Sequence, residues 1–279
     1  MKHILVVLFI AVNYISPAQS NSQSNYSVTT FKKGDQFLKQ IFTNSNYFLQ
    51  LGDDSLDIKT RSLVIKSYTV DDISDEGYSF TVTTEKIADT VNSMGKEISY
   101  NSEMLADSNS LIEKAIKNMI GTPVKIQVDI NGVIISVTDD DSTSYSTDSL
   151  ISLAGLEPER FTKGSRIALI AGFPTDMQYK NGHSWTDSAL INDQKTVTTY
   201  GIDSNGNAKT TTTILFTSKV SEKYLNTNIN GKLLIDNETG LVLEKLTQSA
   251  TLGYQFLNGL VYLLDKRTAV SESCYKKTD

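Results

Sequence analysis

Val124-Lys125-Ile126-Gln127-Val128-Asp129-Ile130, then Asn131-Gly132, then Val133-Ile134-Ile135-Ser136-Val137, is the stretch that decides the fold. Its first seven residues alternate apolar and polar without error. On an extended backbone that puts one set of side chains into a core and the other into water. Asn-Gly between two such runs signals a hairpin, because a two-residue turn of the primed type needs positive φ at both positions. The pattern predicts two antiparallel strands joined by a tight turn.

Working outward, the same pattern recurs. Tyr78 to Val82 alternates after the turn Ser74-Asp75-Glu76-Gly77. Asn205-Gly206 precedes the run Thr210 to Thr213, which leads into Ile214-Leu215-Phe216. Lys232 to Ile235 and Leu241 to Leu243 flank a longer loop, Asp236 to Gly240. Tyr254 to Leu257 and Leu260 to Leu263 flank Asn258-Gly259. Crossings this short join antiparallel neighbours. The chain is therefore expected to be mainly β: a curved antiparallel sheet, half-barrel-like, with one or two covering helices, although a closed barrel or two packed sheets would also fit the pattern.

One helix is clear. Leu111, Ile112, Ala115, Ile116, Met119 and Ile120 repeat at helical spacing, with Glu113, Lys114 and Lys117 on the other side. Ser108 or Ser110 caps its start, and Gly121 and Pro123 end it. A weaker helical region covers parts of Leu150 to Ala171, from Pro158 to the run Ile167-Ala168-Leu169-Ile170, interrupted by Gly155 and Gly164.

The first twenty residues read as an address. Met1-Lys2-His3 is a basic start, Ile4 to Val12 an apolar run, and Ala18-Gln19-Ser20 supplies small residues at a cleavage site after Ser20 or Gln19. The apolar run is too short to span ~30 Å of hydrocarbon. Residues 21–29 form a polar lead-in, and residues 30–279 one β-rich domain. Within it, Phe31-Lys32-Lys33-Gly34-Asp35-Gln36-Phe37 matches Tyr179-Lys180-Asn181-Gly182-His183-Ser184-Trp185. Later hairpins in each half carry an Asp before the turn, Asp129 and Asp236. Two similar halves are expected, about 30–138 and 176–250, joined by a partly helical segment 139–175.

Composition excludes several classes. The 279 residues carry 26 Lys+Arg against 32 Asp+Glu, a net charge of -6, which argues against a nucleic-acid partner. With 2 His and 1 Cys, disulfide scaffolds and thiolate zinc sites are excluded. Cys274 is read as an incidental, partly buried thiol. No stretch after the leader reaches the roughly 18 apolar residues of a spanning helix. The expectation is an exported protein, periplasmic or extracellular, soluble and not lipid-anchored.

Catalytic motifs fail on inspection. Gly182-His183-Ser184-Trp185-Thr186 nearly matches a nucleophile elbow, but Thr186 stands where Gly is needed. His183 adjoins Ser184, so on a strand the two point to opposite faces, and beyond the leader there is no second His to take the proton. Asp203-Ser204-Asn205-Gly206-Asn207 begins like a calcium loop, but Ala208 and Ile214 occupy positions that need Gly and a bidentate acid. No catalytic residues, metal or cofactors are expected.

Lys33-Gly34-Asp35, Ser99-Tyr100-Asn101-Ser102, Phe173-Pro174 and Gly182-His183-Ser184-Trp185 give the chain a likeness. It resembles a bacterial family of unknown function whose members are exported proteins and lipoproteins of the cell envelope. The likeness covers most of residues 30–270. It departs at His183, where the family usually has Asp, and in lacking a lipid-attachment Cys. The expected shape is also similar to the half-barrel of lipoprotein carriers, an analogy of architecture.

These readings converge on a non-enzymatic binding protein. A lipid or other apolar ligand is the expected partner, held against Leu111, Ile112, Ala115, Ile116, Met119 and Ile120, or else those residues fill a core. The alternative is a structural or interaction module recognising another envelope protein through sheet edges.

Overall fold

A computed structural model describes residues 31–104, 111–138, 161, 163–172, 183–191, 194–203, 210–257 and 259–277. The expected leader, with Ala18, Gln19 and Ser20, the lead-in 21–29, Asn205-Gly206 and Phe173-Pro174 lie outside the described residues.

The elements are β1 (Gln36–Leu51), β2 (Asp54–Ser74), β3 (Gly77–Ser93), β4 (Lys96–Asn101), α1 (Leu111–Met119), β5 (Pro123–Asp129), β6 (Ile134–Thr138), β7 (Ser184–Ile191), β8 (Gln194–Ile202), β9 (Thr211–Ser221), β10 (Leu225–Asp236), β11 (Val242–Leu257) and β12 (Leu260–Lys276). They form one antiparallel sheet in the order β6-β5-β3-β2-β1-β12-β11-β10-β9-β8-β7, with β4 beside β3. The sheet is open, and its ends β6 and β7 do not pair. Most neighbours are consecutive in sequence. There are two exceptions: β3 pairs β5, with β4 beside it, and at the seam β1 pairs β12 from Phe37↔Lys276 to Gln50↔Leu263.

Side chains alternate across a strand, so the register assigns each residue to a face. One face holds the core. Phe37 lies opposite Tyr68, Tyr68 opposite Val82, and Phe80 opposite Ile126, all buried in one cluster with Phe31 and Cys274. Tyr200, Phe216, Ile214 and Leu233 build a second cluster on the same face across β8–β10. Phe216 and Gly231 are directly opposed, and the Phe216 ring occupies the space a Cβ on Gly231 would need.

Residues 163–171 were expected to be partly helical. They form a non-helical strap of turns and single bridges instead, while 150–160 lie outside the described residues. The strap crosses the core face. Ile134 N donates to Ser165 O at 2.7 Å, and Val242 N donates to Leu169 O at 3.0 Å. Its own Ile167, Leu169 and Ile170 are buried in the first cluster. The apolar run is a short buried non-helical segment, which periodicity alone does not distinguish from a helix. Left-handed Gly164 and Gly172 bracket it.

The 124–137 hairpin is present, with a different turn. Gly132 alone has positive φ, +76°, and Gly132 N donates to Asp129 O at 3.0 Å. This is a three-residue loop ending in a left-handed glycine, not the two-residue primed turn. Asp129 decides it: Oδ1 accepts from Asn131 N at 2.9 Å and from Val133 N at 2.8 Å. Asp236 works alike, accepting from Glu238 N and Thr239 N.

Among the buried ionisable groups of the core face, two bear on stability. At the seam, Glu272 accepts from Lys39 Nζ at 2.7 Å and from Lys245 Nζ at 3.1 Å. These side chains join β1, β12 and β11 through one carboxylate. Removing a partner from a buried pair costs about 3–5 kcal/mol. Glu272→Gln is expected to lower the unfolding free energy by that amount in urea titration; a loss below ~1 kcal/mol would contradict the role.

The second group is Asp89 on β3, 2% exposed, opposite Ser62 and Tyr100. Neither oxygen has a hydrogen bond of normal geometry. Burial pushes its carboxyl from 3.8 to about 7, against a weaker pull from the Thr90 backbone. Burial first, then Glu113 and Asp89, push the Tyr100 phenol up as well. Because the folded state keeps Asp89 protonated, its stabilising contribution is complete below pH 3.8 and is lost as pH rises through about 7. The wild type should lose about 2–3 kcal/mol between about pH 5 and pH 8, and Asp89→Asn should flatten that slope. Equal slopes for both proteins would refute the assignment.

Candidate functional site

Of the expected binding residues on and just after α1, the structure places Ile116, Met119 and Ile120 on the core face. Ile116 is buried against Ile87 and Tyr100, with Met119 and Ile120 packed onto the same cluster. The side chains of Leu111, Ile112 and Ala115 lie outside those described. The space beside Ile116 is about 10 Å³, room for one water at most. At Ile116 the helix therefore fills a core.

The open concavity is on the other face. It is a trough of about 1140 Å³ that runs from β3 and β4 across β2, β1, β12 and β11 to β10. In β3, Thr90 and Asn92 line it while Ile87 and Val91 face the core. In β10, Asn228 and Asn230 line it while Ile229 faces the core. Alternation thus separates a dry face from a wet one.

Two polar rows cross the trough floor. In one, Arg61 lies opposite Asn44, Asn44 opposite Ala269, Ala269 opposite Gln248, and Gln248 opposite Asn230. In the other, Lys59, Asn46, Arg267, Ala250 and Asn228 are aligned likewise. Ala250 and Ala269 sit mid-row, and their short side chains leave the floor deep. The amides offer both donors and acceptors, and the guanidinium groups offer donors only. Lys59 and Arg267 pair with Asp57 and Asp265 at 3.4 Å on the exposed surface. Such exposed pairs hold weakly. Arg61 has no ion-pair partner among the described residues.

Apolar side chains border these rows on both sides along the strands. Phe42 and Leu246 flank Ser271 on one side, 47% and 37% exposed. Phe48 and Leu252 flank Asp265 on the other, 39% and 54% exposed. The six steps from Phe42 to Phe48 span about 20 Å at ~3.4 Å per residue. A polar band is thus edged by two apolar strips.

The sequence reading missed every residue of this trough. One signal was present: Asn44-x-Asn46 and Asn226-x-Asn228-x-Asn230 place a strand-disfavoured residue repeatedly on one face.

Other candidates are dispersed. His183 precedes β7, is exposed, and stacks on Trp185 at 6.0 Å. Cys274 is a buried thiol in the core. Among the described residues no group of three or more His, Cys, Asp or Glu side chains is placed to hold a metal. No described helix is long and apolar enough to cross a membrane.

Residues 75–163 match the model of a family of unknown function (DUF6263). No curated protein matches the chain by sequence. Among solved structures the chain is similar to lipovitellin, in a structure of its lipid–protein interactions. The identity is 10% and the TM-score 0.52, over 89% of this chain and 26% of that one. It also matches an outer membrane channel from Pseudomonas putida F1 at 6% identity and a TM-score of 0.26, over 92% of this chain and 100% of that one. The translocator domain of the autotransporter NalP from Neisseria meningitidis matches at 8% identity and a TM-score of 0.24, over 89% and 90%. The likeness to lipovitellin is one of fold, and the chain spans about a quarter of that protein's length.

Proposed function

We propose that the chain is an exported, non-enzymatic protein of the cell envelope that binds an amphiphilic, lipid-like ligand in the open trough. The observation that carries this reading is the polar band edged by two exposed apolar strips. A headgroup fits the amide and guanidinium rows, with Arg61 as the anchor for an anionic group. An acyl chain lies along Phe48 and Leu252 or along Phe42 and Leu246. The fold likeness to lipovitellin, whose structure concerns lipid–protein interactions, supports the choice of ligand class. The basic-apolar-small layout of residues 1–20 supports export.

Magnitudes decide which part of the trough sets affinity. Covering the exposed parts of the two side chains of one strip removes roughly 150 Å² from water, worth about 4 kcal/mol at ~25 cal/mol/Å². Association itself costs about 4–15 kcal/mol. The apolar strips alone therefore hold a ligand weakly, and the headgroup contacts supply the margin. A charge-assisted hydrogen bond contributes about 1.5–3 kcal/mol.

A second reading, an interaction module, draws on β7. Among the described residues nothing pairs with its outer edge, and an edge of that kind accepts a partner strand.

Titrating the protein with a short-chain anionic phospholipid below its micelle concentration tests the first reading. Saturable binding is expected, weakened roughly 10- to 100-fold by Arg61→Ala. No binding of anionic or zwitterionic lipid would overturn the function. Binding that Arg61→Ala leaves unchanged would overturn the headgroup placement.

A further inference from the structure

The β11–β12 hairpin overhangs the sheet. The pairing of β10 with β11 ends at Leu225↔Gly253, and that of β1 with β12 at Gln50↔Leu263, while β11 and β12 stay paired out to Leu257↔Leu260. The hairpin therefore extends about four residues past β10, roughly 14 Å at ~3.4 Å per residue. The thirteen residues from Leu252 to Leu264 contain no charge. Leu252, Tyr254, Phe256, Leu260, Val261 and Leu263 are 54%, 55%, 53%, 47%, 45% and 41% exposed. They occupy both faces: Tyr254 and Leu263 are opposed on the trough face, as are Phe256 and Val261, and Leu260 lies on the other. Exposed strand ends normally carry charge or Pro to prevent association. This one carries neither.

Behind the tip lies a layer of aromatic rings and charges. The Tyr224 ring packs on Phe256 at 4.9 Å, with Lys223 Nζ 5.0 Å from the Tyr224 ring. Lys266 Nζ lies 4.9 Å from the Tyr47 ring. Asp53 and Asp54 sit at the adjacent β1–β2 turn, and Asp265 pairs with Arg267. With Glu222 beside Lys223, acids at the shoulder at least match bases, and no strong positive field faces outward.

We propose that this hairpin seats the protein on the surface of a lipid bilayer with zwitterionic headgroups. The uncharged tip enters the headgroup–acyl boundary, which interfacial elements penetrate by about 5–10 Å. Tyr224, Tyr254 and Tyr262 sit at the depth where amphipathic rings collect. Lys223 and Lys266 keep their charges in the headgroups while their stems line apolar surface. A shoulder without excess positive charge selects zwitterionic over anionic lipid. The exposed apolar tip amounts to on the order of 500 Å². That is short of the ~800 Å² per partner of a stable protein interface, which argues against a second copy as the occupant. The proposal stands on the hairpin alone and is independent of the ligand in the trough.

The test is co-sedimentation of the full chain with phosphatidylcholine vesicles, alongside Phe256→Asp, Val261→Asp and Arg61→Ala. The wild type is expected to sediment with vesicles, changing less than about twofold from ~0.1 to ~0.5 M salt. Each Asp variant should lose roughly tenfold or more, and because both positions are exposed their far-UV spectra and urea midpoints should match the wild type. Arg61→Ala should sediment like the wild type, whereas the Asp variants should still bind soluble short-chain lipid. Those two results separate docking from ligand binding. No sedimentation with phosphatidylcholine, sedimentation only with anionic vesicles, or Asp variants that sediment like the wild type would each overturn the proposal. A concentration-dependent dimer abolished by Phe256→Asp, with no vesicle binding, would assign the tip to a second copy.

Discussion

The seam between β1 and β12 is the constraint on which the rest depends. It joins residues 37–50 to residues 263–276, so its contacts are far apart in sequence and carry a large loop-closure cost. Without it the chain would be two separate meanders, each with a bare edge in the middle of the present sheet. The seam's register also sets the faces on both sides of it. Shifting it by one residue would exchange the core and solvent faces across half the sheet. The buried Lys39–Glu272–Lys245 group lies on this line and is satisfied in one register only.

That register places polar rows on one face and a core on the other. On the core face, the strap at 163–171 and α1 cover apolar clusters. On the opposite face no described element lies over the trough. A sheet with one face covered and one wet is an ordinary antiparallel solution. Here the wet face is concave and holds two rows of Asn, Gln, Arg and Lys across the seam. Asn44 and Arg267 meet there only because β1 and β12 are neighbours. The trough and the seam are thus one feature seen from two sides.

Much of the fold was legible in the sequence. The hairpins at 124–137, 232–243 and 254–263 are where apolar alternation and turn residues place them. The helix at 111–119 follows from a period that needs no knowledge of its partner. The interiors of the long strands were not legible. Thr43-Asn44-Ser45-Asn46 and Thr60-Arg61-Ser62 are polar on both faces, so no hydrophobic period marks them. Their strand state comes from neighbours on either side. Strand order was not legible either, since no local signal joins β1 to β12. The helix was found, but its apolar stripe does not say which face of the sheet it meets. The stripe alone therefore points to a ligand site on the side that the structure fills with core.

Placing the ligand site on the polar rows, opposite the helix, is the central claim. The most direct measurement is NMR of the ¹⁵N-labelled protein during titration with a short-chain phospholipid. It reads the side-chain amide signals of Asn44, Asn46, Asn228, Asn230 and Gln248. The expected result is that these signals shift together and saturate while the backbone amides of residues 113–120 stay in place. Shifts gathered at 113–120, with the five amides unmoved, would contradict it.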